Sequence, residues 1–261
     1  MDTISDIKPG IQSSAIQELC DYELISGLFI YPQNYSYAKQ GEELYNQFSV
    51  TIPEAAEVLK PFNEFMANST VQEMQELFLR SFDVQAITTL DIGFTLFGED
   101  YKRGQLLVNL NREHREAGND CHSELSDHLP NILRLLPKMK DETMRNEIAL
   151  RLLIPAVEKM ISEFEGKKIE KKDEIYKKNL KTVIDYSPVY RTVYQSLLQA
   201  LFTALKKDFG YNPESINNPS GVEEQFMSSL SCEDKIACNS CNPVAKDYSG
   251  NIEIEMNIEK Y

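Results

Sequence analysis

Apolar residues recur at helical spacing along most of the chain, and no segment shows the alternation of strands and helices that builds a parallel sheet. Each predicted helix combines an apolar face with a start or stop signal. The first predicted helix covers residues 16–31 and stops at Tyr31-Pro32; a second begins at Pro53, and a third follows the capping box formed by Ser69-Thr70 and Glu73. Four more helices are predicted over residues 102–117, 127–137, 141–164, with a kink at Pro155, and 189–209. The pattern predicts an all-α fold, a helical bundle.

Helical periodicity stops near Tyr211, where Asn, Pro, Ser and Gly accumulate. We therefore predict one helical domain over residues 1–210 and a poorly ordered tail over residues 211–261. Residues 252–258 alternate apolar and polar side chains and would form a strand only against a partner. A length of 261 residues with 42% apolar residues suits a single domain with a substantial core.

Charge and hydropathy exclude several classes of protein. The net charge of -14 argues against nucleic-acid binding, which depends on Lys and Arg. No run approaches the roughly 18–20 apolar residues that cross a bilayer, and Asp2 and Asp6 stand where a secretory signal carries basic residues. Five cysteines, an odd number, suit a reducing compartment. We predict a cytoplasmic protein without membrane insertion.

Two groups of side chains suggest metal binding or catalysis. Cys232, Cys238 and Cys241 have the spacing C-x5-C-x2-C, but no fourth ligand lies nearby, so free thiols are favoured over a metal site. The histidines His114, His122 and His128 fall within fifteen residues, which leaves a metal-dependent hydrolase as an alternative. Nucleophile-elbow, Walker and dinucleotide patterns are absent from the sequence. We predict neither a resident metal nor a cofactor.

The segment Glu124-Leu125-Ser126-Asp127-His128-Leu129-Pro130 follows the helix over residues 102–117 and a polar loop. Asp127 is expected to cap the next helix or to pair with an arginine of a partner. Arg103 is expected to hold Glu124 or Asp127 in place. The segment is therefore interpreted as a recognition surface at the start of a helix.

This segment, together with Phe97-Gly98-Glu99 and Arg103-Gly104, resembles the motif of the nitrate reductase delta subunit family, the molybdoenzyme maturation chaperones that include NarJ, TorD and DmsD. Tyr31-Pro32 and Leu152-Leu153-Ile154-Pro155-Ala156 agree with the same family, and the resemblance covers residues 15–165. The chain has Ser126 where the family usually has proline.

The resemblance implies a TorD-like, non-enzymatic chaperone. Such a protein binds the N-terminal leader of the apo catalytic subunit of a molybdopterin oxidoreductase and keeps that subunit open for insertion of its molybdenum cofactor. The matching positions, which the resemblance assigns to client-peptide binding, are Glu124, Asp127, His128, Leu129, Pro130, Arg103 and Gly104.

The resemblance further implies a monomer or a domain-swapped dimer, for which residues 166–178 are a candidate hinge. The physical expectation is that leader binding weakens with salt and on replacement of Asp127. A helical structural subunit of a redox complex remains a third possibility beside the chaperone and the hydrolase.

Overall fold

The computed structural model describes residues 19–180 and 192–211, whose regular structure is helical. The helices are α1 (Tyr22–Gly27), α2 (Ser36–Thr51), α3 (Pro53–Asn68), α4 (Val71–Phe82), α5 (Ile92–Phe97), α6 (Tyr101–Glu116), α7 (Leu129–Leu135), α8 (Glu142–Glu147), α9 (Ile154–Glu163), α10 (Gly166–Leu180) and α11 (Val193–Phe209). A 3₁₀ turn (Leu136–Lys138) follows α7, and a π-helical segment (Ile148–Leu153) joins α8 to α9. Within the described ranges no strand occurs, so the all-α prediction is confirmed there.

Several predictions fall on other parts of the chain. Residues 1–18, 181–191 and 212–261 lie outside the described residues, and with them Cys232, Cys238, Cys241 and the alternating segment 252–258. In the part of the chain that the structure describes, no helix is both long and apolar enough to cross a bilayer.

The centre of the bundle is α3, which packs against α2 on one side and α11 on the other. Its inward face places Leu59, Phe62 and Met66 in the core, each nearly inaccessible to solvent. Pro53 occupies the first turn of α3, as predicted, where its missing N–H costs no hydrogen bond. A second group of contacts joins α1 to α7 and α5 to α9, and α9 leans on α11.

An aromatic cluster links this core to the surface where α4 ends. The fully buried Tyr194 of α11 lies edge-to-face against Phe62, Phe78 and Phe82, at centroid distances of 5.5, 5.9 and 4.8 Å. Its hydroxyl is hydrogen-bonded to that of Tyr37, 2.7 Å away, so neither phenol is left unsatisfied. The end of α4 is therefore held rigidly by the core.

Helix ends agree with most of the sequence signals. Thr70 and Glu73 form the predicted capping box, in which each side chain accepts a hydrogen bond from the other residue's backbone N–H. Gly118 and Gly210 have φ of +65° and +60°, the left-handed conformation that favours glycine after a helix. The helix predicted over residues 141–164 is divided into α8, the π-helical segment and α9, and Pro155 lies in the first turn of α9.

Several predicted boundaries are wrong. Helix α1 ends at Gly27 rather than at the predicted stop Tyr31-Pro32. Helix α1 begins at Tyr22 rather than near residue 16, because Asp21 caps it by accepting from the Leu24 amide at 2.9 Å. Helix α7 begins at Leu129 rather than at Asp127. The charged segment after residue 166, predicted as a turn and helix start, is helix α10, whose Lys168 and Lys172 both bond Glu163.

The two ends of the described chain meet at Asp208 on α11. Its carboxylate accepts hydrogen bonds from the Cys20 amide at 2.7 Å and from the Tyr22 hydroxyl at 2.9 Å. Burial and the neighbouring carboxylate raise the pKa of the Cys20 thiol to about 12. The approach to α1 is thus fixed to the last helix by one acidic side chain.

We expect Asp208→Ala to lower the free energy of unfolding by about 2–4 kcal/mol, because it strands two donors that bond a charged group. Asp208→Asn keeps one acceptor oxygen and is expected to lose about half as much. Urea denaturation measures both changes; equal stability of Asp208→Ala and the wild type would contradict the assignment.

Candidate functional site

The predicted recognition segment folds back against the start of α5. The Ile92 amide donates to the Asp127 carbonyl at 2.9 Å, and the Leu129 amide donates to the Leu90 carbonyl at 2.8 Å. These two bonds form the isolated antiparallel bridge between Asp91 and His128. The bridge brings residues 90–92 and 127–129 together and so places two acidic residues and a histidine side by side.

Arg103 of α6 lies between the two carboxylates. Its Nε donates to Asp127 Oδ2 at 3.0 Å, and its Nη2 donates to Asp91 Oδ2 at 2.8 Å. The predicted pairing of Arg103 with Asp127 is confirmed, whereas Glu124 is exposed and pairs with no cation among the described residues. Arg103 also stacks over the Phe94 ring, with 5.5 Å between the guanidinium carbon and the ring centroid.

Asp127 is not a surface residue, and two predictions about it are wrong. The residue is 0% exposed, so its carboxylate is not available to an arginine of a partner. It does not cap α7 either, because His128 occupies the N-cap position. Burial raises the pKa of Asp127, and the hydrogen bonds from Arg103 only partly offset that effect. Asp127 therefore stabilises the fold through its ion pair with Arg103.

Asp91 connects this ion pair to the histidine. The His128 Nδ1 lies 3.1 Å from Asp91 Oδ1, and because a carboxylate only accepts, Nδ1 carries the proton. That hydrogen bond, with a further contribution from Arg103, lowers the pKa of Asp91. When the ring is neutral its Nε2 is an acceptor, and the ring is fixed in orientation by the bond on its other side.

Gly93 permits the close approach of α5 to Asp127. A Cβ at this position would lie 2.6 Å from Asp127 Oδ2 and 3.0 Å from a methyl carbon of Leu106. Neither neighbour is free to move, since Asp127 is bound by Arg103 and Leu106 is fully buried. Glycine is therefore required here by space.

The loop before the motif is held by a second buried network. The side-chain amide of Asn119 donates to His114 Nδ1 at 2.9 Å. His114 therefore donates through Nε2 to the Ser126 carbonyl, also at 2.9 Å. Burial lowers the pKa of His114, which favours the neutral ring that these bonds require. Asn131 adds bonds to the Cys121 and Leu125 carbonyls, at 3.3 and 2.8 Å. The loop is thus fixed from α6 and α7.

The three histidines do not form one site. His114 is enclosed in the loop network, the exposed His122 pairs with Asp120, and His128 bonds Asp91. Across the residues that the structure describes, no group of three or more His, Cys, Asp or Glu side chains is arranged to hold a metal ion. The histidine cluster on which the hydrolase alternative was based is therefore not formed among these residues.

An open groove of about 680 Å³ runs beside this network. Its aromatic and apolar lining comes from the residues after α1 and from α4, and the rest comes from residues 89–91, the loop before α7 and α7 itself. The residues that line the groove include Ile30, Tyr31, Phe78, Phe82, Asp83, Cys121, Glu124, His128, Pro130 and Arg134. Ile30 and Tyr31 stand on its rim, 42% and 39% exposed.

The structure divides the predicted site residues into three sets. Glu124, His128 and Pro130 line the groove. Asp127 and Leu129 are buried beneath it, and Arg103 holds Asp127 in place. Gly104 does not line the groove; it lies on the exposed face of α6.

The sequence did not indicate most of the aromatic residues that line the groove. The Tyr31-Pro32 segment draws attention to Tyr31, whereas helical spacing places Phe78 and Phe82 only on the inward face of a helix. Asp83 and Arg134 carried no signal, because a charged residue at a helix end is ordinary. The burial of Arg134 Nε without a hydrogen-bond partner among the described residues is visible only in three dimensions.

Comparison of the chain with protein-family models, with curated proteins and with solved structures finds no match in any of the three. The resemblance to the molybdoenzyme chaperones therefore rests on the motif residues themselves.

We expect Asp91→Asn to change the pH dependence of stability. A carboxyl whose pKa is lowered in the folded state contributes stability above its ordinary pKa of 3.8 and loses that contribution as the pH falls towards the lowered value. The variant should be about 1–2 kcal/mol less stable than the wild type at pH 7. That difference should shrink between pH 5 and pH 3, measured by urea denaturation at each pH. Glu57→Gln, an exposed carboxylate elsewhere, is the control.

Gly93→Ala should lower the free energy of unfolding by about 1–3 kcal/mol, because the added methyl group overlaps the fixed Asp127 carboxylate. Thermal unfolding followed by circular dichroism measures the loss. An unchanged midpoint would show that α5 and Asp127 are not as close as described.

Proposed function

We propose that the protein is a maturation chaperone that binds the N-terminal leader of the apo catalytic subunit of a molybdopterin oxidoreductase. The resemblance supplies the class of client. The observation that carries the proposal is the groove, because three residues of the resembling motif line it together with aromatic side chains. An open groove with apolar walls and a few polar groups is typical of a site for a peptide segment.

The residues that line the groove offer both apolar and charged contacts. Tyr31 and Phe78 stand edge-to-face with their centroids 5.8 Å apart and give an apolar surface for a leader side chain. Exposed Asp83 and Glu124 supply negative charge for the basic residues of a leader. The combination matches a segment with an apolar stretch next to basic residues.

Arg134 and His128 supply hydrogen bonds to the main chain of the segment. Arg134 lines the groove, and its guanidinium would donate to a client carbonyl there. The Nδ1 of His128 is bonded to Asp91, which leaves Nε2 for the groove. Both side chains are held in place, His128 by Asp91 and Arg134 by Asn131, and a fixed group loses little entropy on binding.

The network beneath the groove explains why the motif needs buried residues. Asp91 orients the ring of His128, Arg103 bonds both Asp91 and Asp127, and Leu129 is fully buried. In this proposal Arg103, Asp127 and Leu129 position the groove, while Glu124, His128 and Pro130 contact the leader. The protein acts by binding and release and has no turnover.

The test uses fluorescein-labelled synthetic leaders of the molybdopterin catalytic subunits encoded in the same genome, titrated with the full chain. The double variant Asp83→Asn and Glu124→Gln should weaken binding about threefold to tenfold, because exposed ion pairs contribute up to about 1 kcal/mol each. The loss should fade as salt is raised from 50 to 500 mM.

Glu57→Gln is the matched control, since it removes an exposed carboxylate that does not line the groove. Failure of every leader to bind the wild type would overturn the proposed function. Binding that Glu57→Gln weakens as much as the groove variant would overturn the groove as its site.

A further inference from the structure

A second concave site is lined by residues of α5, α9 and α10 and by the two threonines that precede α5. Its volume is about 490 Å³, within the roughly 300–1,000 Å³ that is typical of small-molecule sites. We refer to it as the lysine pocket. The residues that line it are Thr88, Thr89, Phe94, Thr95, Lys159, Ser162, Glu163, Lys168 and Lys172.

The lysine pocket has a positive lining in a protein that is strongly acidic. Lys159, Lys168 and Lys172 contribute three ammonium groups, and Glu163 is the one carboxylate that lines it among the described residues. Three positive charges against one negative charge leave a formal charge of +2, whereas the whole chain carries -14. A cleft whose lining has an excess of one sign of charge concentrates ions of the opposite sign.

Glu163 is already bonded through both of its carboxylate oxygens. Oε1 accepts from Lys168 Nζ at 3.2 Å, and Oε2 accepts from Lys172 Nζ at 2.8 Å. Lys168 also donates to the Ser162 hydroxyl at 2.8 Å, and Lys172 also donates to the Ile87 carbonyl. Because an ammonium group has three hydrogens, each of these two lysines keeps one donor that the described residues do not use.

Lys159 and Thr89 add further donors. The Lys159 ammonium makes one hydrogen bond within the described part of the chain, a long one of 3.4 Å to the Leu96 carbonyl, so two of its hydrogens stay available. The Thr89 hydroxyl accepts from the Asp91 amide at 3.2 Å and can donate its own hydrogen. The three lysines together keep four charged donors, which is the pattern that an anion requires.

We propose that the lysine pocket binds a phosphate group, either as the free ion or as the monoester of a small molecule. A phosphate monoester carries a charge of about -1.5 to -2 at pH 7, which balances the excess of +2 in the lining. Its oxygens are strong acceptors for the unused donors, and lysine binds phosphate as a point charge. The exposed ring of Phe94 gives an apolar surface for the remainder of an ester. The proposal is independent of the proposed function.

The test is calorimetric titration of the full chain with inorganic phosphate and with phenyl phosphate, at about pH 7.5 and low ionic strength. We expect saturable binding at one site per chain. Tighter binding of phenyl phosphate would identify an ester as the ligand, and tighter binding of inorganic phosphate would identify the free ion.

Two variants should change the affinity in opposite directions. Lys159→Gln removes one cation and should weaken phosphate binding about threefold to fivefold, the contribution of an exposed ion pair. Glu163→Gln removes the negative charge of the lining and should strengthen phosphate binding by a similar factor. Lys140→Gln is the matched control and should leave the affinity unchanged, because this exposed lysine does not line the pocket.

Three results would overturn the proposal. The first is a lack of saturable binding of either compound to the wild type. The second is an equal loss of affinity in Lys140→Gln and Lys159→Gln, which would show only a general attraction of anions to positive charge. The third is weaker binding to a Glu163→Gln variant that circular dichroism shows to be folded. If that variant does not fold, the contrast between the two lysine variants decides.

Discussion

The pairing of Arg103 with Asp127 is the interaction on which the rest of this region depends. A fully buried carboxylate is costly unless a cation and hydrogen bonds replace its hydration, and Arg103 supplies both. The same guanidinium reaches Asp91, which in turn orients His128. Helices α5, α6 and α7 are thereby fixed relative to one another around one positive charge, and Asp91 and His128 of this series line the groove.

The sequence carried enough information for the all-α class, although helices α2 and α5 were not predicted. Helical periodicity, the Thr70 capping box and the glycines at 118 and 210 predict elements that the structure contains, because those signals are local. The boundaries of α1 and α7 were wrong for a physical reason. Asp21 competes as a cap for the first, and Asp127 is drawn into an ion pair and away from the end of the second.

The site was harder to predict than the fold. Charge and proximity in sequence suggested that Asp127 is exposed, whereas its partner Arg103 lies 24 positions earlier and its burial depends on Gly93 of a third element. The aromatic lining of the groove could not be predicted either, because it too depends on contacts between residues far apart in sequence. Phe78 and Phe82 belong at once to the core, through Tyr194, and to the groove, and a sequence pattern distinguishes only inward from outward.

The aromatic cluster has an optical consequence. Phe78 touches the rim residue Tyr31 on one side and the buried Tyr194 on the other. The chain has 13 tyrosines and no tryptophan, so its ultraviolet emission is that of phenols alone. Any indole that a bound polypeptide carries would be the only one in the complex. Excitation at the red edge would then select that indole, and energy transfer from nearby tyrosines to it would report binding.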